Sequence, residues 1–556
     1  MKTPKLNLLC TMLWLLCLLL PFGAFAQRSA TQATYWVFLT DKGPNPRLAL
    51  SERAIHRRER MHIVPDSLDY AVNQRYIEGI RKVGGTQARV LGASRWLNAV
   101  IWHGPADALN KLEALPYVRR MAPMQRHKML NAAETAPQEV AAPQEIIRPW
   151  NFRQLTITNT HRLHQMGFTG EGVVLAVLDD GYNKVNEVDA FERMREQNLV
   201  LSVYDFRQEN EDVYTVGGHG TQVLSCIVGH QKNELYGAAP DVSLHLLRSE
   251  YAPTETMVEE YHWVLAAEYA DSAGADVIQS SLGYTVFDDP AENHSYSDMD
   301  GDGTVITRAA DLAASRGILV VISAGNSGDE DWRYISAPAD GDSVIAVGAV
   351  KNTTFLARFS SRGPTADGRI KPDVLAQGYR TTVASSSGRI VQSNGTSFAA
   401  PLISGMACCL RQAFPEVSSY DLFRAILQSG DQFEHPENAY GFGLADATRA
   451  YAYLEVAEEG ELAGGKSVEL HFPEATNQML LSVGAGYFGK ELDIVYRDRK
   501  DRILQVETFR PFPQHGMFNT HLPHWLERIP SARELQVYVG KVKPKRKPKY
   551  SFRIRN

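Results

Sequence analysis

The middle of the sequence predicts an α/β domain in which helices cover both faces of a parallel sheet. Apolar β-branched runs alternate there with segments of helical periodicity, a pattern typical of strands joined by crossover helices. The runs that indicate buried strands are residues 173–178, 242–247, 277–281, 318–323 and 344–350. The helical segments are residues 254–272, 304–316 and 397–414. In folds of this class, functional side chains lie at strand ends and in the adjoining loops.

The first residues have the pattern of a secretory signal peptide. Lys2 and Lys5 precede the apolar run 8–20, and Ala24-Phe25-Ala26 supplies small residues for cleavage, so we place the signal peptide at residues 1–26. The alternative is a membrane anchor. The run is shorter than the ~20 apolar residues that a transmembrane helix needs, and no later segment approaches that length. We therefore expect export as a soluble protein, extracellular or periplasmic, without an integral membrane segment.

Residues 27–130 predict a small α+β unit. We expect strands at 35–39 and 94–102 and helices at 74–83 and 106–115. Residues 131–150 follow as a linker, because they are rich in Ala, Pro, Gln and Glu and have no apolar period. The α/β domain then occupies residues 151–455.

Three side chains of the α/β domain have the types and positions that nucleophilic catalysis needs. Ser397 lies between the turn at Gly395 and an alanine-rich stretch with a proline in its opening turn. His219 lies at a glycine turn, and Asp179 ends an apolar strand. A serine hydroxyl attacks only when a base takes its proton and a third group orients that base. Capping or solvation explains each residue alone, but together they predict a catalytic triad.

The sequence around these residues resembles the signature blocks of the subtilisin family of serine proteases, the subtilases, which share the order Asp, His, Ser. The blocks are Val177-Leu178-Asp179-Asp180-Gly181, His219-Gly220-Thr221 and Gly395-Thr396-Ser397-Phe398-Ala399-Ala400-Pro401. Shorter matches occur at residues 237–240, 281–283, 324–326, 359–364 and 371–373. The resemblance covers about residues 150–452. It implies a subtilisin-like catalytic domain, a serine endopeptidase that acts on proteins or peptides and needs no cofactor for catalysis.

The resemblance also implies roles for individual residues. His219 would take the proton of Ser397 and return it to the leaving amine, while Asp179 holds the imidazole ring. Asn326 and the backbone N–H of Ser397 would stabilise the oxyanion of the tetrahedral intermediate.

Substrate-binding residues follow from the same resemblance. Ser281-Leu282-Gly283 would pair with the substrate backbone as an added strand, and Ala324-Gly325 would line the principal side-chain pocket. Main-chain pairing gives affinity with weak sequence preference, so we expect broad specificity.

Two positions depart from the family pattern. Asp180 stands where relatives usually carry a small hydroxyl residue. Because strand side chains alternate, only one of the two adjacent carboxylates can face His219, and the position match favours Asp179. A second carboxylate nearby would raise the pKa of His219. Gln222 stands where many relatives carry a second histidine, outside the triad, so we infer no loss of activity from it.

Residues 27–130 resemble the prosegment of the family. Such a prosegment assists folding and acts as an intramolecular inhibitor until the linker is cut, so the resemblance implies a zymogen. The alternative is a permanent N-terminal accessory domain. The position between signal peptide and protease domain favours the prosegment.

The acidic loop at Asp298, Asp300 and Asp302 has the beginning of a calcium-loop pattern, with carboxylates at alternate positions and glycines between them. The pattern is incomplete, because its twelfth position is Ala309 and not a glutamate. These three residues are the candidate ligands of a structural calcium ion. The alternative is an acidic turn capped by Asp302 or Thr304.

Composition agrees with an ordinary soluble enzyme, since 44% of the residues are hydrophobic and 22% are charged. The net charge of −6 gives no argument for a nucleic-acid partner, and we expect a monomer. The mature chain keeps Cys226, Cys408 and Cys409 in apolar surroundings, where buried free thiols are the preferred interpretation. A bridge from Cys226 to one of the adjacent pair is the alternative.

Residues 456–556 predict a β-rich C-terminal domain, with a sandwich as the favoured architecture. Alternating runs at 480–483, 492–496 and 535–539 indicate its strands. The basic run 541–549 favours a solvated loop, with contact to an anionic surface as the alternative.

Two functions remain open for the whole chain. One is an active secreted protease, and the other is a catalytically silent subtilase fold used for binding or surface attachment. All four positions of the triad and the oxyanion side chain are filled, which favours the enzyme.

Overall fold

The computed structural model describes residues 32–124, 152–251, 254–351 and 355–458. In the C-terminal part it describes residues 468–471, 479–483, 487, 490, 492–509, 518–522, 534–539 and 547–553. The predicted signal peptide (1–26) and linker (131–150) lie outside the described residues, as does most of the basic run 541–549.

The N-terminal unit is a four-stranded antiparallel sheet with two of its helices packed on one face, which confirms the predicted α+β class. Its elements are β1 (Gln32–Leu39), α1 (Glu52–Arg60), α2 (Gln74–Lys82), β2 (Arg89–Ser94), β3 (Ala99–Pro105), α3 (Leu109–Glu113) and β4 (Val118–Met124), in sheet order β2-β3-β1-β4. The single strand predicted at 94–102 is wrong. Ser94 pairs with Ala99, and residues 95–98 form the hairpin turn between β2 and β3.

Alternate residues of β1 pack on opposite sides of this sheet. Val37 and Leu39 join the core under α2 and α3. Trp36 and Phe38 pack instead with Leu265 of the α/β domain. Because side chains alternate along a strand, one face of the sheet is covered by its own helices and the other by the α/β domain.

The α/β domain contains a seven-stranded sheet in which every strand pair is parallel, as predicted. Its strands are β5 (Val174–Asp179), β6 (Val200–Asp205), β9 (Ser243–Arg248), β10 (Val277–Ser280), β11 (Leu319–Ser323), β12 (Val344–Val350) and β13 (Val374–Gln377), in spatial order β13-β12-β11-β10-β5-β9-β6. The five predicted strands form the centre, whereas the edge strands β6 and β13 are absent from the sequence prediction. Two short hairpins pair β7 (His230–Gln231) with β8 (Leu235–Tyr236), and β14 (Thr381–Ala384) with β15 (Ile390–Ser393).

Helices cover both faces of the sheet, which confirms the predicted fold class. They are α4 (Phe152–Thr156), α5 (Thr160–Gln165), α6 (Glu192–Glu196), α7 (His219–Val228), α8 (Met257–Ala273), α9 (Val305–Ser315), α10 (Thr396–Ala413), α11 (Ser419–Gln428) and α12 (Ala447–Glu458). Leu175 and Val177 of β5 pack in the core that contains α7 and α10, whereas Ala176 and Leu178 pack against α8 and α9. Among the described residues, none of the helices combines the length and apolar character that a membrane crossing requires.

The described residues of the C-terminal part form two antiparallel sheets, which confirms its β-rich character. The first contains β16 (Val468–His471), β17 (Met479–Val483) and β20 (Phe518–Leu522); the second contains β18 (Leu492–Arg497), β19 (Ile503–Phe509), β21 (Glu534–Val539) and β22 (Tyr550–Arg553). Val468 of the first sheet shares a core with Ile494 and Val537 of the second, and Phe433 of the α/β domain packs against it. The preceding helix α12 continues to Glu458, past the boundary expected at 455.

Candidate active site

Asp179 and His219 meet at the carboxyl end of the sheet. Asp179 is the last residue of β5 and is fully buried, and His219 is the first residue of α7. Nδ1 of His219 lies 2.7 Å from Oδ1 of Asp179, a hydrogen-bond distance. With Nδ1–H donating to the carboxylate, Nε2 of the neutral ring is left to accept a proton.

Asp180 binds the backbone beside this pair. Its Oδ1 accepts the backbone N–H of Gly220 at 2.9 Å, in the first turn of α7. A carboxylate there satisfies an unpaired N–H and faces the positive end of the helix dipole. Burial, and next the charge of Asp179, raise the pKa of Asp180 to about 6. The ring of His219 is therefore held by Asp179, while Asp180 holds the start of the helix.

The pKa of His219 reflects both carboxylates. Burial lowers it, but the charge of Asp179, the hydrogen bond to Asp179 and the charge of Asp180 outweigh burial and raise the pKa of His219 to about 9. About a third of the side chain is exposed (34%), so solvent partly screens these charges. Because a histidine acts as a base only when neutral, activity that depends on His219 should rise with pH.

Ser397 is the second residue of α10, where backbone N–H groups have no partner within the helix. The rings of His219 and Phe398 lie 5.9 Å apart between centroids, which brings the histidine to the residue that follows Ser397. The Ser397 hydroxyl donates to the carbonyl oxygen of Ser281 at 3.4 Å. Catalytic hydrogen bonds are often loose in a free enzyme and tighten with substrate, so this geometry is compatible with proton transfer to His219.

Asn326 follows β11, and Thr396 fixes the orientation of its amide. Oδ1 of Asn326 accepts the backbone N–H of Thr396 at 2.9 Å and its hydroxyl at 3.0 Å. The same hydroxyl accepts the N–H of Gly325 at 3.2 Å. Because both bonds to Asn326 use the amide oxygen, its Nδ2 remains a donor, and together with the N–H of Ser397 it can stabilise an oxyanion.

The backbone of Ser397 is tied to the end of β10. The Ser281 hydroxyl donates to the carbonyl oxygen of Ser397 at 2.8 Å and accepts from Nε2 of Gln279 at 2.6 Å. In a regular helix the N–H of residue 401 would bond that carbonyl, but Pro401 has no N–H. Pro401 is the sixth residue of α10, so it lies in the second turn and not in the opening turn predicted from the sequence. The proline thus leaves a carbonyl free for Ser281.

The other predicted pocket residues lie at neighbouring strand ends. Leu282 and Gly283 follow β10, with Leu282 buried and Gly283 exposed. Ala324 is buried directly after β11, and Gly325 has a φ of 107°, a conformation that favours glycine. A Cβ at Gly325 would also lie 2.9 Å from Oγ of Ser361. The predicted triad, oxyanion and pocket residues therefore all lie at the carboxyl end of the sheet.

The acidic loop forms turns before α9. Asp298 accepts the backbone N–H and hydroxyl of Ser295, each at 2.7 Å. Asp300 accepts the N–H groups of Asp302 and Gly303, at 3.0 and 2.7 Å. These carboxylates serve as turn acceptors and do not converge on one point, so the loop gives no support for calcium, and that site stays a prediction.

In the part of the chain that the structure describes, one group of side chains of the types that can bind a metal ion lies close together. It consists of Asp179, Asp180 and His219, whose ligand atoms lie within 4.8 Å of one another. The hydrogen bonds given above account for this arrangement without an ion.

Sequence reasoning misses two positioning groups at this site. Thr396 orients Asn326, and the hydroxyl of Ser281 holds the carbonyl of Ser397. A proline four residues after Ser397 indicates that the Ser397 carbonyl lacks its usual helical N–H partner. No residue close to Thr396 in the sequence identifies Asn326 as the partner of Thr396.

Two sequence models match the chain. The one described as "Subtilase family" matches residues 170–443, and "Peptidase S8 propeptide domain, Bacteroidota" matches residues 34–141. Subtilisin DY from Bacillus licheniformis is 32% identical over 242 residues, which are 42% of this chain and 77% of subtilisin DY. The chain belongs to the subtilase family.

The chain thus carries a subtilase domain behind a propeptide domain, which confirms both family resemblances drawn from the sequence. Subtilisin-like protease SBT6.1 from Arabidopsis thaliana is 29% identical over 309 residues, 53% of this chain and 27% of that protein. The subtilase chain therefore spans about a quarter of the length of this relative. The crystal structure of MycP1 from the ESX-1 type VII secretion system matches 57% of this chain and 88% of MycP1, with 23% identity and a TM-score of 0.44.

Proposed function

We propose that this subtilase is a secreted serine endopeptidase, made as a self-inhibited zymogen, that uses Asp179, His219 and Ser397 as its catalytic triad. The observation that carries the proposal is the 2.7 Å hydrogen bond from the His219 ring to the buried Asp179, beside the start of the helix that bears Ser397. An aspartate that holds Nδ1 of a histidine leaves Nε2 ready to deprotonate a serine.

The catalytic cycle follows from these groups. Nε2 of His219 takes the Ser397 proton as Oγ attacks the scissile carbonyl, and Asn326 with the Ser397 N–H stabilises the oxyanion. His219 then protonates the leaving amine, which gives the acyl-enzyme. A water molecule attacks the acyl carbon with His219 as base, and Ser397 is regenerated. Protein groups perform every step, so the proposal includes no catalytic cofactor.

The proposed substrates are extended segments of proteins or peptides. The segment Ser281-Leu282-Gly283 leaves the end of β10 beside Ser397, a suitable place for a peptide to pair as an added strand. Ala324 and Gly325 would line the principal side-chain pocket. Recognition through the backbone supports broad specificity.

Secretion and zymogen processing belong to the same proposal. The signal-peptide pattern at 1–26 supports export to the periplasm or the cell exterior. The match of residues 34–141 to a propeptide domain supports self-inhibition followed by cleavage in the linker.

A fluorophosphonate probe tests the proposal. We would incubate the purified secreted chain with the probe, beside a Ser397→Ala chain, and follow mass by mass spectrometry. We expect labelling of the native chain alone, together with loss of the segment before about residue 150.

Failure to label a folded, processed chain would contradict the proposal. It would favour the second candidate, a silent subtilase fold used for binding.

A further inference from the structure

The loop between β11 and β12 lies behind the two proposed walls of the principal side-chain pocket. These walls are residues 281–283 and 324–325. The N–H of Ser336, in this loop, donates to the carbonyl oxygen of Ala324 at 3.4 Å. The N–H of Tyr284, which follows the first wall, donates to the carbonyl oxygen of Ala337 at 2.9 Å. Residues 336 and 337 therefore join the two walls at the back of the pocket.

The side chain of Ser336 fills the gap between two glycines of these walls. A Cβ on Gly283 would lie 2.2 Å from Oγ of Ser336, and a Cβ on Gly325 would lie 3.1 Å from the same oxygen. Both distances are shorter than ordinary van der Waals contact, so a side chain on either wall would press against Ser336. One hydroxyl thus occupies the space that the two missing side chains leave open.

The hydrophobic core closes the pocket behind Ser336. Ser336 is 8% exposed, and its neighbours Ile335 and Ala337 are fully buried. These two neighbours pack in the core that contains α8 and α9. Because protein cores hold few voids larger than a water molecule, the pocket has no room beyond Ser336. Its depth is therefore set by the Ser336 side chain.

Both walls are held to the start of α10, which bears the proposed nucleophile. The Ser281 hydroxyl donates to the carbonyl oxygen of Ser397, and the N–H of Gly325 donates to the hydroxyl of Thr396. The P1 residue of a substrate is the one that carries the scissile carbonyl. When Ser397 attacks this carbonyl, we expect the P1 side chain to lie between the two walls and to point toward Ser336.

We propose that Ser336 is a specificity-determining residue whose side chain restricts the P1 position of the substrate to small residues, chiefly alanine. This proposal rests on the proposed function, because it takes the two walls as the substrate pocket. A larger side chain must displace Ser336 or stay outside the gap, and an apolar one also covers its hydroxyl without offering a hydrogen bond. Pairing through the backbone leaves the other substrate positions broad.

The linker of this chain supplies P1 residues of the required size. Residues 131–150 contain five alanines, including the pairs Ala132-Ala133 and Ala141-Ala142. In the proposed zymogen, the linker is the first substrate that the active site meets. Its cleavage therefore needs no large P1 side chain, which is consistent with a shallow pocket.

The experiment compares peptides that differ only at the P1 residue, which is alanine, leucine or phenylalanine. The processed, purified chain is used, and its active sites are counted first by fluorophosphonate labelling. We expect kcat/KM to be at least about tenfold higher for the alanine peptide than for the phenylalanine peptide, with the leucine peptide between them.

Three substitutions assign this preference to Ser336. Ser336→Gly removes the side chain and should raise the phenylalanine-to-alanine ratio of kcat/KM at least about tenfold. Ser336→Ala removes only the hydroxyl, so it should raise the ratio by a smaller factor, and it replaces Ser336→Gly as the test if that chain fails to fold. Ser343→Gly, at an exposed serine of the same loop, is the matched control and should leave the ratio unchanged.

Two results would overturn the proposal. One is equal kcat/KM for the alanine and phenylalanine peptides in a labelled, unmutated chain. The other is an unchanged ratio in the labelled Ser336→Gly chain or in its replacement. Failure of the unmutated chain to label instead removes the proposed function on which the pocket depends, whereas a labelled chain with the wrong preference rejects only the role of Ser336.

Discussion

The carboxylate of Asp180 has two effects: its charge raises the pKa of His219, and its oxygen accepts a backbone hydrogen bond. A substitution can separate these two effects. Its carboxylate accepts the N–H of Gly220, and its charge is one of the influences that raise the pKa of His219. An asparagine at this position keeps an acceptor oxygen and loses the charge. We therefore expect Asp180, which stands where relatives usually carry a small hydroxyl residue, to affect the pH range of activity more than the fold.

Asp180→Asn should shift the acidic limb of the kcat/KM profile to lower pH. In the proposed mechanism neutral His219 is the base, and removing a nearby negative charge lowers its pKa. Because a third of the ring is exposed, we expect a shift of about one pH unit or less. The profile is measured with a peptide substrate, and Glu187→Gln, at an exposed site, is the control. An unmoved limb in Asp180→Asn would contradict the prediction.

Thr396→Val should lower kcat roughly tenfold and leave KM nearly unchanged. The valine lacks the hydroxyl that orients Asn326, and misdirection of one oxyanion donor weakens the transition state more than the bound substrate. Thr396→Ser keeps the hydroxyl and should retain most of the activity. Equal kcat in both variants would show that the hydroxyl does not act through Asn326.

At the scale of elements, burial explains the different outcomes for two strands of the parallel sheet. β12 is buried at every position and is predicted with its observed bounds, whereas the edge strand β6 is mostly partly exposed and lacks a clear pattern. The hairpin turn at residues 95–98 escapes prediction because Glu268, 173 residues from Arg95, bonds its backbone. Contacts between distant segments leave no local signal.

The candidate site likewise contains residues that the sequence predicts and contacts that it does not reveal. The triad residues and Asn326 are predicted because their residue types recur in recognisable motifs at strand and helix ends. The bond between Thr396 and Asn326 joins residues 70 positions apart, and no pattern around either one identifies the other. The sequence therefore predicts the candidate reacting groups, and the fold is needed to find the residues that orient them.

Gly405→Ala in α10 should destabilise the catalytic domain. A Cβ at this position would lie 2.4 Å from Cβ of Ala238, so the helix must shift. Overpacking costs about 1–3 kcal/mol, which outweighs the ~1 kcal/mol gained in helix propensity. Urea unfolding in the Ser397→Ala background measures the change. A Gly405→Ala chain as stable as its parent would refute the packing argument.

At the scale of the whole molecule, the propeptide domain completes surfaces of the catalytic domain. Trp36 packs near Leu265 of α8, and Arg57 caps α8 and α9. A catalytic domain synthesised alone must fold with these helix ends unpaired.

Residues 152–556 expressed alone should therefore give little active enzyme. Residues 27–130 added in trans during refolding should raise the active fraction at least about tenfold, because they supply the missing caps and apolar face. Active-site titration measures the fraction, and the Arg57→Ala form of the added domain should be less effective. Equal recovery without the added domain would contradict this role.

The hydrogen bond from Ser281 to the carbonyl of Ser397 connects the proposed substrate-binding segment to the proposed nucleophile. In the proposed function, a peptide that pairs with residues 281–283 would act on the same segment that fixes the backbone of Ser397. A badly matched peptide would then disturb the alignment of the attack as well as its own binding. Such an enzyme would discriminate among substrates by how fast it turns them over, and poor substrates would occupy the cleft without being cut.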